Sequence, residues 1–305
     1  MITSIFNKSR PINYVLVAIF VFIYFLSLNL QFLVSDISYA LIGIARFLIV
    51  LFMIFLLDFI ISKNNLSKNN SYAILTFGLL VGVFPEIFKH SNLLLANLFV
   101  LFALRRIISL HSNVSLKKKL FDAGFWIMIA TLFYFWSILF FSIVIVALIY
   151  HSQNDIKNTI IPFIGIAVVL IILLVYNIIF HDVFIRYTNF QPFASLDFTA
   201  YNSKENIVRL TVFFTTLLWI LIYFFRVLPD KNNKLKPSYF LIAWSSIIAV
   251  LITVIAPLKN GSEFLFVFAP FSIIMANYIE VISEKWFKEI FIILLIITPI
   301  INLLL

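Results

Sequence analysis

Phe84-Pro-Glu-Ile-Phe-Lys-His-Ser-Asn92 begins the stretch that decides the fold, and the thirty-residue apolar run Phe121–Tyr150 ends it. Between them lie an apolar segment that ends in Arg105-Arg106 and a loop that ends in Lys117-Lys118-Lys119. In membrane proteins, short loops rich in Lys and Arg stay on the cytoplasmic side. This stretch therefore orients every other apolar segment of the chain.

The composition indicates that the protein lies in a lipid bilayer. Of the 305 residues, 63% are hydrophobic and 11% are charged, and the mean hydropathy is +1.11. A soluble domain is about half apolar and about a quarter charged. Apolar runs of about 20 residues span the hydrocarbon as helices, which satisfy their own backbone hydrogen bonds. We therefore predict an all-α, polytopic membrane helix bundle that forms a single domain over residues 1–305.

Nine apolar segments outside Phe121–Tyr150 each predict one membrane helix. They are Ile12–Val34, Ile37–Ile61, Tyr72–Phe88, Leu93–Leu110, Ile160–Phe180, Val208–Phe225, Tyr239–Pro257, Phe264–Val281 and Ile290–Leu304. The 37 Phe residues are typical of lipid-facing helix surfaces.

Charge decides whether Phe121–Tyr150 is one span or a hairpin of two short helices. With the N-terminus cytoplasmic, a hairpin that turns near Tyr134-Phe135-Trp136 places 16 Lys and Arg inside and five outside. A single span places 13 inside and eight outside. The positive-inside rule favours the hairpin, so we predict about eleven helices with a cytoplasmic N-terminus.

The hairpin topology brings several polar segments to the outer face. These are the Ser35-Asp36 turn, the Glu86–Asn92 turn, the His181–Glu205 loop and the Lys259–Glu263 segment. The basic residues lie in short loops as this topology requires, so the net charge of +9 gives no reason to expect a nucleic-acid partner.

Candidate chemistry lies mainly on that outer face. The densest polar cluster consists of Glu86, Lys89, His90 and Asn92, and it fits either a carboxylate base with cationic partners or an ordinary polar turn. Asp36 fits either a catalytic base or the N-cap of the following helix. Arg46, about nine residues into its span, must face an acid, carbonyl groups or a lipid phosphate, because a buried guanidinium is costly.

The His181–Glu205 loop interleaves aromatic residues with Arg186, Asn189 and Gln191. This pattern suits sugar stacking and hydroxyl recognition, and it equally suits an aromatic belt at the lipid headgroups.

Several kinds of site have no support in the sequence. The chain contains no Cys, no phosphate-binding glycine loop, no HExxH motif and no nucleophile elbow. The topology divides its four His residues between two faces, so we expect neither a metal site nor a cofactor.

The order of these features resembles the GT-C superfamily of membrane glycosyltransferases, which use polyprenyl-phosphate-linked sugars. The resemblance covers residues 12–180. It rests on Asp36 after the first span, the Pro85–Asn92 turn leading to Arg105-Arg106, and Lys117–Lys119 with Phe121-Asp-Ala-Gly124 before the hairpin. The chain departs from that pattern in its very short first outer loop and in a hairpin that lacks the second glycine. It also resembles an uncharacterised family of flavobacterial integral membrane proteins.

The GT-C resemblance implies an inverting transfer of a polyprenyl-phosphate-linked sugar at the outer face of the bacterial cytoplasmic (inner) membrane. Asp36 or Glu86 would be the catalytic base, and Lys89, His90 and Arg186 would hold the leaving phosphate. The departures leave a second hypothesis open, in which the chain is a non-catalytic subunit of a larger envelope complex with a membrane-protein partner. A transporter is a third, less favoured because we find no internal repeat.

Overall fold

A computed structural model describes residues 2–35, 37–150, 156–184, 192–230 and 232–304. These residues form twelve α-helices and short 3-10 segments, without a β-strand. The helices are α1 Ile2–Phe6, α2 Pro11–Ser35, α3 Ile37–Asn64, α4 Tyr72–Val83, α5 Ser91–Ile108, α6 Leu116–Phe133, α7 Phe141–Tyr150, α8 Ile156–His181, α9 Lys204–Val227, α10 Lys236–Ile255, α11 Leu265–Val281 and α12 Lys285–Leu304.

The all-helical prediction is confirmed, and each predicted span corresponds to one helix. Among the described residues, six helices are long and apolar enough to cross a membrane, counting α5 and α11 with their adjoining 3-10 segments. The additional twelfth helix is α1. The carboxylate of Glu289 accepts hydrogen bonds from the backbone N–H groups of Ile2 and Thr3, which caps this short helix.

Helix α4 is shorter than the predicted span Tyr72–Phe88. It ends at Val83 because Pro85 disfavours a helical conformation at Phe84, whose φ and ψ are −124° and 67°. Residues Pro85–Lys89 then form a 3-10 segment before α5 begins at Ser91. Because of the proline, Glu86 and Lys89 of the predicted polar cluster lie in a compact turn rather than in a helix.

The contacts divide the chain into two compact units. Unit 1 comprises Met1–Leu94, Leu196–Lys231 and Leu258–Leu305, and unit 2 comprises Leu95–Ser195 and Asn232–Pro257. The assignment of the whole chain to one domain stays a prediction.

Unit 1 is built around α4 and α11, which pack against each other. Every residue of α4 is buried, and α2, α3 and α12 also contact it. Phe77 and Phe268 meet edge to face between α4 and α11, and Phe213 of α9 stacks on Phe271. The interpretation of Phe as mainly lipid-facing is wrong for this unit, because its fully buried side chains include Phe77, Phe84, Phe88, Phe213, Phe266, Phe268 and Phe271.

Unit 2 contains the helical hairpin. The chain leaves α6 at Tyr134, whose backbone is extended, and continues through the 3-10 segment Phe135–Phe140 into α7. Tyr150, at the end of α7, contacts Phe240 near the start of α10. Nearby, Ser238 donates to the carbonyl oxygen of Ile108 at the end of α5. The end of α7 therefore returns to the end of unit 2 at which α6 begins, as the hairpin prediction requires.

Helices α6 and α8 cross at two glycines. A Cβ atom on Gly124 would lie 2.1 Å from the carbonyl oxygen of Pro162, and one on Gly165 would lie 2.4 Å from that of Phe121. Only glycine allows the two backbones to approach so closely.

Candidate functional site

The predicted carboxylate Glu86 forms a buried ion pair. The Pro85–Lys89 segment directs its side chain toward α9, where Oε1 lies 2.7 Å from Nη1 of Arg209. The Arg209 side chain is 6% exposed and that of Glu86 is 26% exposed. This pair joins two segments separated by 123 positions in the chain.

Arg209 has further partners that fix its guanidinium. Nη1 also donates to the carbonyl oxygen of Val83 at 3.3 Å, and Nη2 donates to Oδ1 of Asn206, one helical turn earlier in α9. The guanidinium carbon lies 5.1 Å from the centroid of the Phe84 ring, a cation–π contact. The end of α4 and the start of α9 therefore hold this cation together.

The segment between α10 and α11 closes over the pair. Gly261 adopts a φ of +91°, and a Cβ atom there would lie 3.3 Å from Oε2 of Glu86 and 3.6 Å from Nη2 of Arg209. The 3-10 segment Ser262–Phe264 follows, and it includes Glu263, which is 1% exposed. A second carboxyl group is thus buried beside the Glu86–Arg209 pair.

Asn260 connects this turn to His90. Its Nδ2 lies 2.9 Å from Nε2 of His90, while its Oδ1 accepts from the backbone N–H of Ser262 at 3.0 Å. Because the Ser262 bond fixes the amide orientation, Nδ2 is the donor and the His90 nitrogen is the acceptor. Burial lowers the pKa of His90, and the neighbouring charges of Arg46 and Lys89 lower it further. His90 is therefore a neutral imidazole that carries its hydrogen on Nδ1.

Arg46 reaches the same turn from α3. Its Nε donates to Oγ of Ser91 at 2.7 Å, and its Nη1 donates to the carbonyl oxygen of Phe88 at 2.9 Å. Both acceptors are neutral, and the described residues include no carboxylate in ion-pair contact with Arg46. Of the acid, carbonyl groups or lipid phosphate expected for this guanidinium, the described residues supply one carbonyl group, together with the Ser91 hydroxyl. Lys89 is exposed beside it.

The His181–Glu205 loop also contributes to unit 1 through residues from Leu196 onward. The Lys259 ammonium lies 4.9 Å from the centroid of the Phe198 ring, and Tyr201 contacts Phe264. Burial lowers the pKa of Lys259. Residues 196–201 therefore pack beside the turn that covers Glu86.

A family model matches residues 4–304 of the chain and describes a family of unknown function, DUF6427. The chain belongs to this family. No curated protein matches the chain. No solved structure matches it either.

The structure of this DUF6427 protein brings together four of the eight predicted site residues, Arg46, Glu86, Lys89 and His90. The other four predicted site residues lie outside the described residues; they are Asp36, Arg186, Asn189 and Gln191. Among the described residues, no group of three His, Asp or Glu side chains is arranged to hold a metal ion.

Sequence reasoning did not single out Arg209, Asn260 and Glu263. One signal was present for Arg209, because Asn206 and Arg209 are three residues apart and share one face of a helix. The placement of Lys259–Glu263 on the same face as Glu86–Asn92 was also predicted, and the His90–Asn260 contact confirms it. A single span at Phe121–Tyr150 would have separated these segments.

Proposed function

We propose that this DUF6427 protein is a multi-pass protein of the bacterial inner membrane that binds a polyprenyl-phosphate-linked glycan at the outer face, with a GT-C-like arrangement of helices. The N-terminus would be cytoplasmic, as the distribution of Lys and Arg favours. The six long apolar helices support the membrane location.

The observation that carries this proposal is the position of Arg46 beside His90 and Lys89. A guanidinium inside a membrane helix costs about 2.5–3.5 kcal/mol on insertion scales. Ser91 and the Phe88 carbonyl satisfy hydrogen bonds of Arg46 but supply no negative charge. A phosphate would supply that charge and accept further N–H bonds. The Nδ1–H group of His90 provides an additional donor, and Lys89 adds a second positive charge.

The reaction, where the chain catalyses one, is sugar transfer to an acceptor whose hydroxyl loses its proton to a carboxylate. Asp36 is the first candidate base and Glu86 the second. Glu86 could take this role only after the Gly261 turn moves, because Arg209 binds Oε1 and the turn covers Oε2. Arg186, Asn189 and Gln191 would contact the phosphate or the sugar.

The enclosure of Glu86 favours a second candidate function. The partly buried Glu86 carboxylate pairs with Arg209 beneath the Gly261 turn and joins α4, α9 and the segment before α11. In a non-catalytic subunit, such a cluster would stabilise the outer end of unit 1 as a binding surface for a membrane-protein partner. The lipid-linked glycan would then pass to that partner.

Lipid mass spectrometry of the protein purified in mild detergent tests the binding proposal. We expect a polyprenyl phosphate lipid to copurify with the wild-type protein. Arg46→Gln should reduce its amount about tenfold, because charged hydrogen bonds contribute roughly 1.5–3 kcal/mol. Arg106→Gln is the matched control, because Arg106 pairs with Asp122 in unit 2. Equal lipid content in the Arg46 and Arg106 variants would refute the proposed site.

Genetics and purification separate the enzyme from the subunit. If the chain is the transferase, the wild-type gene should restore the envelope glycans of a deletion strain. The Asp36→Ala and Glu86→Ala variants should not restore them. A stoichiometric partner protein together with full activity of both variants would favour the subunit. Unchanged envelope glycans in the deletion strain would contradict both.

A further inference from the structure

Glu263 is the most deeply buried acidic side chain near the candidate site. It is 1% exposed, and its Oε1 is buried without a hydrogen-bond partner. Its Oε2 accepts the backbone N–H of Asn260 at 3.4 Å. The buried atoms Oε2 of Glu86 and Nε of Arg209 also lack hydrogen-bond partners. Two buried carboxylate oxygens without a donor, on neighbouring side chains, are consistent with a proton on one of them, because a protonated carboxyl group becomes a donor.

The cations nearest to Glu263 in the chain's fold are each exposed or in contact with another group. The 85–89 segment contributes Glu86 and Lys89, and α9 contributes Arg209. Arg209 is paired with Glu86 at 2.7 Å, while Lys89 is exposed.

The remaining elements add no strong counter-charge. Lys259 lies over the Phe198 ring, His90 is neutral, and the 199–201 segment contributes only the hydroxyl of Tyr201. Helix α4 carries no charged side chain. Glu280 lies near the opposite end of α11, where it accepts hydrogen bonds from the backbone N–H of Lys68 and from Nδ2 of Asn70. A buried carboxylate without a counter-charge costs several kcal/mol, and such groups become neutral instead.

We propose that Glu263 is a proton-binding residue, which holds one proton while the Glu86–Arg209 pair is formed and which opens the 260–263 turn when it loses that proton. This inference goes beyond the proposed function and does not depend on which ligand binds at Arg46.

The turn links the proton to His90 through one residue. Asn260 donates its backbone N–H to Glu263 and its side-chain Nδ2–H to His90, while its Oδ1 accepts from Ser262. Ionised Glu263 would face the Glu86 carboxylate, and like charges at short range in a dry environment repel strongly. Gly261, with its φ of +91°, is the position at which the backbone can adjust. Movement there displaces Asn260 and releases the His90 ring.

Infrared difference spectroscopy on the ligand-free protein in detergent tests the inference. The wild-type protein at neutral pH should show a carboxylic-acid C=O band that disappears in Glu263→Gln. Glu280→Gln is the control at the other end of α11 and should keep the band. Retention of the full band in Glu263→Gln would overturn the proposal.

The pH dependence of unfolding gives an independent readout. An unfolded Glu releases its proton near pH 4.3, so a folded protein that retains this proton binds more protons than the unfolded chain above that pH. Its stability is present at low pH and falls as the pH rises. Between about pH 5 and 9, the range of buried carboxyl groups, the wild-type protein should lose stability relative to Glu263→Gln. Parallel profiles would contradict the proposal.

Glu86→Gln keeps the inference testable even where Glu263→Gln does not fold. Without the Glu86 charge, Arg209 can neutralise an ionised Glu263, so the C=O band should be absent at neutral pH. A band of wild-type intensity in Glu86→Gln would show that the proton lies elsewhere.

Discussion

At the scale of single residues, the two ion pairs of the described chain lie in different environments. The Arg209 side chain is 6% exposed, whereas the Arg106 side chain in the pair with Asp122 is 36% exposed. Water therefore screens the Arg106–Asp122 pair and screens Arg209 much less. Loss of the arginine removes a buried hydrogen-bond donor only at the Arg209 site, because the carboxylates that remain, Glu86 and Asp122, are 26% and 27% exposed.

Replacement of Arg209 by Gln should destabilise unit 1 by about 1–3 kcal/mol, because the Val83 carbonyl and the Glu86 carboxylate lose their hydrogen-bond donor. Arg106→Gln is the matched control and should cost less than about 1 kcal/mol. Denaturant unfolding in detergent micelles measures both. The double variant Glu86→Gln/Arg209→Gln should recover part of the loss, and a double variant less stable than Arg209→Gln would contradict this account of the pair.

At the scale of helices, the sequence predicted where elements begin and end better than how closely they pack. The break near Tyr134 followed from charge counts, and the early end of α4 is explained by Pro85. The crossing of α6 and α8 was not predicted, because one glycine in each helix has no local pattern. Only tertiary contact shows that Gly124 and Gly165 face each other.

Gly124→Ala and Gly165→Ala should each weaken the contact between α6 and α8. The added methyl groups would meet backbone atoms, at 2.1 Å and 2.4 Å, which cannot rotate away. Over-packing of this kind costs about 1–3 kcal/mol. Gly82→Ala in α4 is the control, because its methyl group would meet the Phe20 ring at 3.2 Å, a side chain that can shift. Thermal unfolding would compare the three, and equal losses would argue against the close crossing.

At the scale of the whole molecule, charge counts alone predicted which polar turns share a face. The Glu86–Arg209 and His90–Asn260 contacts agree with that prediction. The partners within the site could not be predicted, because they join positions 123 and 170 residues apart. Local spacing carries no information about which of several turns at one face will touch.

The side of the membrane on which the site lies can be tested with cysteine labelling, since the chain has no native Cys. The Ser195 N–H donates to the carbonyl oxygen of Ile255 at the end of α10, whereas Asn232 precedes the start of α10 at Lys236. The two positions therefore lie at opposite ends of one span. In intact cells, an impermeant maleimide should label Ser195→Cys and leave Asn232→Cys unlabelled. The reverse pattern would place the candidate site on the cytoplasmic side.

The shortness of α4 has a consequence for the lipid around unit 1. Twelve residues extend about 18 Å, whereas the hydrocarbon of a typical bilayer is about 30 Å thick. In the proposed topology, an upright α4 with Tyr72 at the inner boundary would leave the ion pair beyond Val83 about 12 Å below the opposite boundary. In that topology the bilayer beside unit 1 would thin, or headgroups and water would move inward to meet the charges. A lipid-linked phosphate could then reach the site by lateral diffusion in the outer leaflet, at the same depth as the surrounding lipid headgroups.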